Sequence, residues 1–406
     1  MFPLVLAWVS TLYAGEDAAT DAPAEPSAEA DSRLKGYAVP NLSFDTDDGL
    51  GFGARGELQR RSDTLAPYEA AWVLHGYATL RGYHHHRFRY DRLGLGRTGD
   101  LRLTTHVAFR QWTNDGYWGM GSGTAREPEF VGDFARDDLR RKRYRYTLVQ
   151  PFAQLTLRYT LVGPWELTGA LNLRHSTVRL YEGSLLAEDS PYGLDGGLTA
   201  QMSGGVLYDS RQPEIGATRG ALLELSGRLA PPLPGGAGVF GGVYASARGF
   251  YGLTPRVTLA GRLMAERLWG ELPFYELVHW GGFAPIAGFG GAEALRGVQF
   301  GRYHAPGKAV GNVELRITAL SHTLRDAPMD WMLVPFIDAG AVWGLPAGGP
   351  GWPVVPSLGL GLRAVFDETF VGRLDAALAY DPVLTASNTA SPQLNTGFYV
   401  VFDHTF

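Results

Sequence analysis

From about residue 36 to the end of the chain, polarity alternates with a period of two. In "WELTGALNLRHS", Trp165, Leu167, Gly169, Leu171 and Leu173 fall on one face, and Glu166, Thr168, Ala170, Asn172 and Arg174 on the other. This is the pattern of an extended strand with one apolar and one wet face. "RVTLAGRLMAE" opposes Val257, Leu259, Leu263 and Ala265 to Arg256, Thr258, Arg262 and Glu266. "LRLTTHVAFR" opposes Leu101, Leu103, Val107 and Phe109 to Arg102, Thr104, His106 and Arg110. Several such segments run for ten or more residues, longer than the roughly five to six of an average strand and matching the roughly 9 to 11 that cross a bilayer at a tilt.

Reading the alternation through to the end predicts about sixteen strands, the even number expected of a bacterial barrel. The predicted connections differ by side. One side has tight turns such as "GRTGD", "VGP", "GLTP" and "DET", and the other has long segments near 113–143, 181–196, 270–307, 344–355 and 381–394. Short periplasmic turns and long outer loops are the asymmetry of outer-membrane barrels. The last segment, "GFYVVFDHTF", starts at Gly397 and sets Phe398, Val400, Phe402 and Phe406 on one face, so it is predicted to be the barrel-closing strand.

Composition narrows the field. The 54 glycines, 25 prolines and 49 aromatics (20 Phe, 19 Tyr, 10 Trp) suit many strands joined by many turns. Nothing in the sequence resembles a helical span of about 18 apolar residues. A net charge of −5 offers no footprint for nucleic acid, and the absence of cysteine excludes disulfides and thiolate metal sites. Residues 1–14, "MFPLVLAWVSTLYA", are expected to be an export signal, and residues 15–35 an acidic Ala- and Pro-rich periplasmic linker unable to bury a core. The barrel domain is expected over 36–406.

A set of motifs in order resembles a known family. "SFDTDDGLGFGARGE", "YWGMGSGT", "YDSRQPEIGATRGALLELSG", "LRGVQFGRY", "GNVELRI" and "FIDAGAVW" are similar to successive pieces of the barrel of BamA/TamA-type outer-membrane assembly proteins, the bacterial surface antigen family. The resemblance implies an all-β integral outer-membrane antiparallel barrel of sixteen strands. It also implies a sixth outer loop folded into the lumen with an Arg-Gly-aromatic motif at its tip. Arg296 and Gly297 lie in the connection between the predicted eleventh and twelfth strands, which is that sixth loop; Val298 stands where the family has an aromatic residue.

Alternation places Glu314 and Asp338 on the inward faces of the two strands after the loop. A guanidinium is a permanent cation with five donors in a rigid fork. The expectation, on the family's pattern, is therefore a lumen latch of Arg296 and Gly297 on Glu314, Asp338 or both. The family carries periplasmic substrate-handling repeats ahead of the barrel, where this chain is read as having only its short linker.

No catalytic centre, cofactor or metal site is predicted. A Gly-x-Ser-x-Gly elbow is absent from the sequence, and His84–His86 of "YHHHRF" alternate across a strand so that only His84 and His86 share a face. "RDDLRRKRYRYT" is a basic loop stretch suited to acidic headgroups or to solvent, and Asp209 with Arg211 is read as fixing a turn. The function implied is outer-membrane protein assembly or translocation. Expected partners are outer-membrane lipids and client outer-membrane proteins or a separate periplasmic accessory protein, not nucleic acid. The alternative is a passive pore for small solutes.

Overall fold

The computed structural model describes residues 34–45, 49–122, 124, 142–284, 286–324, 327–345, 354–367, 370–381 and 393–406. The expected export signal and nearly all of the linker lie outside them; the first strand already opens at Leu34. Sixteen strands follow in chain order. The first eight are β1 (Leu34–Asp45), β2 (Gly49–Arg60), β3 (Ala70–Thr79), β4 (His84–Leu95), β5 (Leu101–Gly116), β6 (Arg145–Val162), β7 (Trp165–Arg179) and β8 (Gly197–Asp209). The rest are β9 (Gly220–Ala230), β10 (Phe240–Thr254), β11 (Val257–Gly270), β12 (Gly307–Leu324), β13 (Ala327–Trp343), β14 (Val355–Phe366), β15 (Phe370–Asp381) and β16 (Gln393–Phe402). A short helix, α1 (Leu185–Asp189), is N-capped by Ser184, whose hydroxyl accepts from the Ala187 amide.

Every strand pairs antiparallel with its sequence neighbour, giving a single sheet in the order β1 to β16. The alternation in sequence becomes an alternation in burial. Leu171, Leu173, Leu225, Leu263, Ile337, Leu358 and Phe398 are exposed on the outside, while Thr258, Arg262, Glu266, Asn312, Glu314 and Arg316 are buried inside. This is the inverse of a water-soluble barrel and the arrangement expected when hydrocarbon surrounds the protein. Most of the tight turns gather at one end of the sheet (the turn end) and the longest connections lie at the other (the loop end).

The apolar core is supplied by the connection 271–306, which folds into the barrel. Trp280, Phe289, Leu295, Val298 and Tyr303 pack there against Tyr244 of β10, Met264 of β11, Val310 of β12, Val342 of β13, Val355 of β14 and Ala379 of β15. A loop buried this way needs partners for its backbone, and the polar inner wall provides them. Lys308 Nζ donates to the carbonyls of Leu277 and His279 (2.8 and 2.7 Å), Asn312 Nδ2 to Ala294 (2.8 Å), Arg262 Nη2 to Glu293 (2.7 Å) and Arg373 Nη2 to Ala292 (2.9 Å).

Among the described residues no backbone ladder joins β16 to β1. The two edges overlap instead. Phe366, Phe370 and Phe402 occupy outward positions in β14, β15 and β16, yet they meet the inward face of the opposite edge. Phe366 and Phe370 lie 5.7 and 6.0 Å from the ring of Tyr37 on β1, and Phe402 lies 5.8 Å from His75 on β3 and 5.2 Å from the Arg55 guanidinium on β2. The β1–β3 edge thus wraps outside the turn ends of β14–β16. Asp367, at the β14–β15 turn, gathers Lys35 (3.0 Å), Arg61 (3.2 Å) and the Tyr37 hydroxyl from that edge.

Candidate functional site

The tip of the connection 271–306 presents Arg296 to the walls of β12, β13 and β15, with no exposed surface. Its Nε and Nη2 donate to the two carboxylate oxygens of Asp338, each at 2.8 Å, and its backbone amide donates to the same carboxylate at 3.3 Å. Nη1 donates to Glu314 Oε1 at 2.8 Å and lies 3.4 Å from Asp375 Oδ2. The guanidinium sits 3.4 Å from the centre of the Phe336 ring. A planar cation with bidentate carboxylate contact on its edge and an aromatic face beneath it is oriented in all directions. Burial alone pushes its pKa down; the hydrogen bonds and charge of Asp338, then Glu314 and Asp375, raise it overall, so it remains a cation.

Gly297 follows in the left-handed region, φ 85°, and its amide donates to the Tyr399 hydroxyl of β16 at 2.9 Å. A Cβ there would stand 2.9 Å from the Cβ of Ala379 and 3.0 Å from its amide, so both backbone angle and space call for glycine. Val298, fully buried, joins the loop's apolar core. The structure thus brings together Arg296, Gly297, Glu314 and Asp338, the four residues read from the sequence.

It also brings residues that the sequence reading did not single out. Glu314 Oε2 accepts from Arg316 Nε at 3.0 Å, Arg363 lies 3.6 Å from Glu314 Oε1 and pairs closely with Asp375, and Arg373 stands 3.8 Å from Asp375. Thr405 donates its hydroxyl to Glu314 Oε1 at 3.0 Å and its carbonyl accepts from Arg262 Nη1 at 3.1 Å. The four arginines and three acids form one buried network between β12, β13, β14, β15 and the loop. Asp375 was readable as an inward acid in "GRLDAALAY", opposite Leu374 and Ala376; nothing in the alternation says which inward acids share a level of the barrel.

Of the residues read as the closing strand, Gly397, Phe398 and Phe402 lie on β16 and Phe406 lies beyond its end. Asp403 takes φ 69° and the chain turns inward there. Its carboxylate accepts from Arg55 Nη1 at 2.9 Å, and Phe406 packs on Phe250 and beneath the guanidinia of Arg262 and Arg316 (5.0 and 5.2 Å). Asp209 and Arg211 make a bidentate pair at the β8–β9 turn, 2.9 and 2.7 Å. Of the stretch 136–147, residues 136–141 lie outside the described residues. Among the described residues no three His, Asp or Glu side chains are grouped to hold a metal ion.

Residues 103–406 match the Omp85 superfamily domain. The chain belongs to the Omp85 superfamily. It is a bacterial outer-membrane barrel of the BamA/TamA type, so the turn end of the sheet faces the periplasm and the loop end the outside. No curated protein matches the chain. Among solved structures, the Omp85 fold here is similar to BamA from Haemophilus ducreyi lacking POTRA domains 1–3, at 17% identity and TM-score 0.53, over 91% of this chain and 69% of that one. It is also similar to CdiB from Escherichia coli, at 13% identity and TM-score 0.56, over 97% and 67%. These likenesses are of fold. In this Omp85 barrel the candidate site is the loop tip and the network that receives it.

Proposed function

We propose that this barrel serves the insertion or translocation of proteins at the outer membrane, acting at its β1–β16 edges, with Arg296 as the latch that keeps the sixth loop inside. The observation that carries the reading is the overlap without a ladder. Among the described residues, the facing edges of β1 and β16 keep backbone donors and acceptors that no neighbouring strand takes up, and such an edge is a template for another strand. A latched loop keeps the lumen filled while the edges move, since its apolar core spans β10 to β15 rather than the seam. The reading calls for no catalytic centre or cofactor. Its partners are outer-membrane lipids and client proteins, delivered directly or by a separate periplasmic protein. The alternative, a passive pore, needs an open lumen, and the packed loop weighs against it.

The test is folding of a urea-unfolded outer-membrane barrel protein into liposomes with and without this chain. A several-fold faster client folding supports the proposal. Since the chain has no cysteine, His75→Cys with Phe402→Cys offers a clean site for a short thiol crosslinker across the overlap, and crosslinking is expected to remove the acceleration. Equal rates in loaded and empty liposomes overturn the proposal.

A further inference from the structure

The periplasmic half of the lumen holds a second compartment, of about 330 Å3, that the loop latch does not use. It is roofed by Phe283 and Ala284 of the sixth loop. Gln154 Nε2 (3.2 Å) and Thr156 Oγ1 (3.4 Å) hold the roof through the Phe283 carbonyl, and the Arg158 guanidinium lies 5.1 Å from the Phe283 ring.

Seven arginines and three carboxylates line the chamber. The carboxylates are all engaged: Asp91 and Glu214 take Arg102 at 2.6 and 2.7 Å, and Asp403 takes Arg55 at 2.9 Å. Arg158 and Arg211 are held by Asp209 just beyond the lining, at 3.2 and 2.7 Å. Three cations make no ion pair among the described residues, although Asp403 acts on Arg87 and Arg89, and Glu224 on Arg248, through space. Arg87 and Arg89, successive inward positions of β4, and Arg248 of β10 line the chamber without a carboxylate at ion-pair distance among the described residues. Arg248 Nε is buried and has no hydrogen-bond partner among those residues.

Three guanidinia that line one chamber repel one another, and a wall backed by hydrocarbon screens that repulsion poorly. Their repulsion is relieved by an anion in the chamber. A lone carboxylate is planar and singly charged and leaves most of the excess in place. A tetrahedral phosphate presents oxygens in several directions and carries up to two charges, which suits planar forks converging from two walls.

We propose that the chamber is a binding site for a phosphate-bearing anion, with Arg87, Arg89 and Arg248 as its ligands. The phosphate can be a lipid phosphomonoester or that of a soluble phosphorylated compound; the recognition chemistry is the same, and the site goes beyond the insertion reading and does not depend on it.

The experiment uses the full refolded chain in neutral detergent, titrated calorimetrically with sodium tripolyphosphate and, separately, with dihexanoyl phosphatidic acid. Saturable binding of one molecule per chain is expected, at least tenfold weaker in Arg87→Gln/Arg89→Gln and in Arg248→Gln. Because these cations make no direct ion pair, the ligand-free variants are expected to melt close to the parent temperature, whereas Arg102→Gln, which strips Asp91 and Glu214 of their partner, melts lower. Tighter binding of the lipid assigns a headgroup as the source, and tighter binding of tripolyphosphate a soluble one. Absence of binding by both probes, or binding equal in parent and variants, overturns the proposal.

Discussion

Arg296 is a cation with no exposed surface, bound to Asp338 through both carboxylate oxygens and to Glu314 through a third bond. Removing one partner of such a group leaves the others charged and unpaired, which costs about 3–5 kcal/mol in buried pairs. Arg296→Ala is therefore expected to release the loop tip and make the segment 271–306 accessible to added protease in the refolded protein. Arg296→Lys keeps the charge but cannot reproduce the bidentate contact, so intermediate protection is expected. Gly297→Ala combines a left-handed φ with a Cβ placed 2.9 Å from Ala379, and its loop is expected to be as accessible as that of Arg296→Ala.

A second residue gives the loop a pH dependence. His304 is buried between Tyr117 and Phe274, and burial, then the charges of Lys308 and Arg302, lower its pKa to about 3. The released state has the ordinary value, near 6.5. The released state thus binds the proton first, and stability conferred by the neutral ring is complete above about pH 6.5 and declines as pH falls toward 3. About 2 kcal/mol is lost by pH 5. Protease protection of the loop is expected to weaken between pH 7.5 and pH 5 in the parent and to change less in His304→Phe. At this scale Arg296, Glu314 and Asp338 were legible, because alternation sets the face and the loop order sets the neighbourhood. Asp375, Arg363, Arg373 and Thr405 were not, because they meet the tip only once strands far apart in sequence share a lumen.

At the scale of elements, the strands follow the alternation closely: the strand expected after the connection near 270–307 is Gly307–Leu324 and that after 113–143 is Arg145–Val162. The end of the chain departs from it. Period two continues on paper through Phe406, but the strand stops at Phe402, where Asp403 turns in toward Arg55. Periodicity describes one strand and its faces, and carries no information about a charge waiting on β2. The overlap predicts that His75→Cys/Phe402→Cys links readily through a short bifunctional thiol reagent. A pair placed on the outward faces of β1 and β16, Ala38→Cys with Phe398→Cys, is expected to link poorly, since no ladder sets those residues side by side. Equal linking of both pairs, read by mobility on denaturing gels, contradicts the overlap.

At the scale of the molecule, the barrel is apolar outside, charged inside and filled by its own loop, with its two edges lapped and, among the described residues, joined by no ladder. Those features favour a protein-handling barrel over an open channel, and they turn on whether the sixth loop occupies the lumen because Arg296 holds it there. The most direct measurement is single-channel conductance in planar bilayers, comparing the refolded parent with Arg296→Ala. The account predicts a small, flickering conductance in the parent that grows several-fold and steadies when Arg296 is lost. A large, steady conductance in the parent, unchanged by Arg296→Ala, contradicts it.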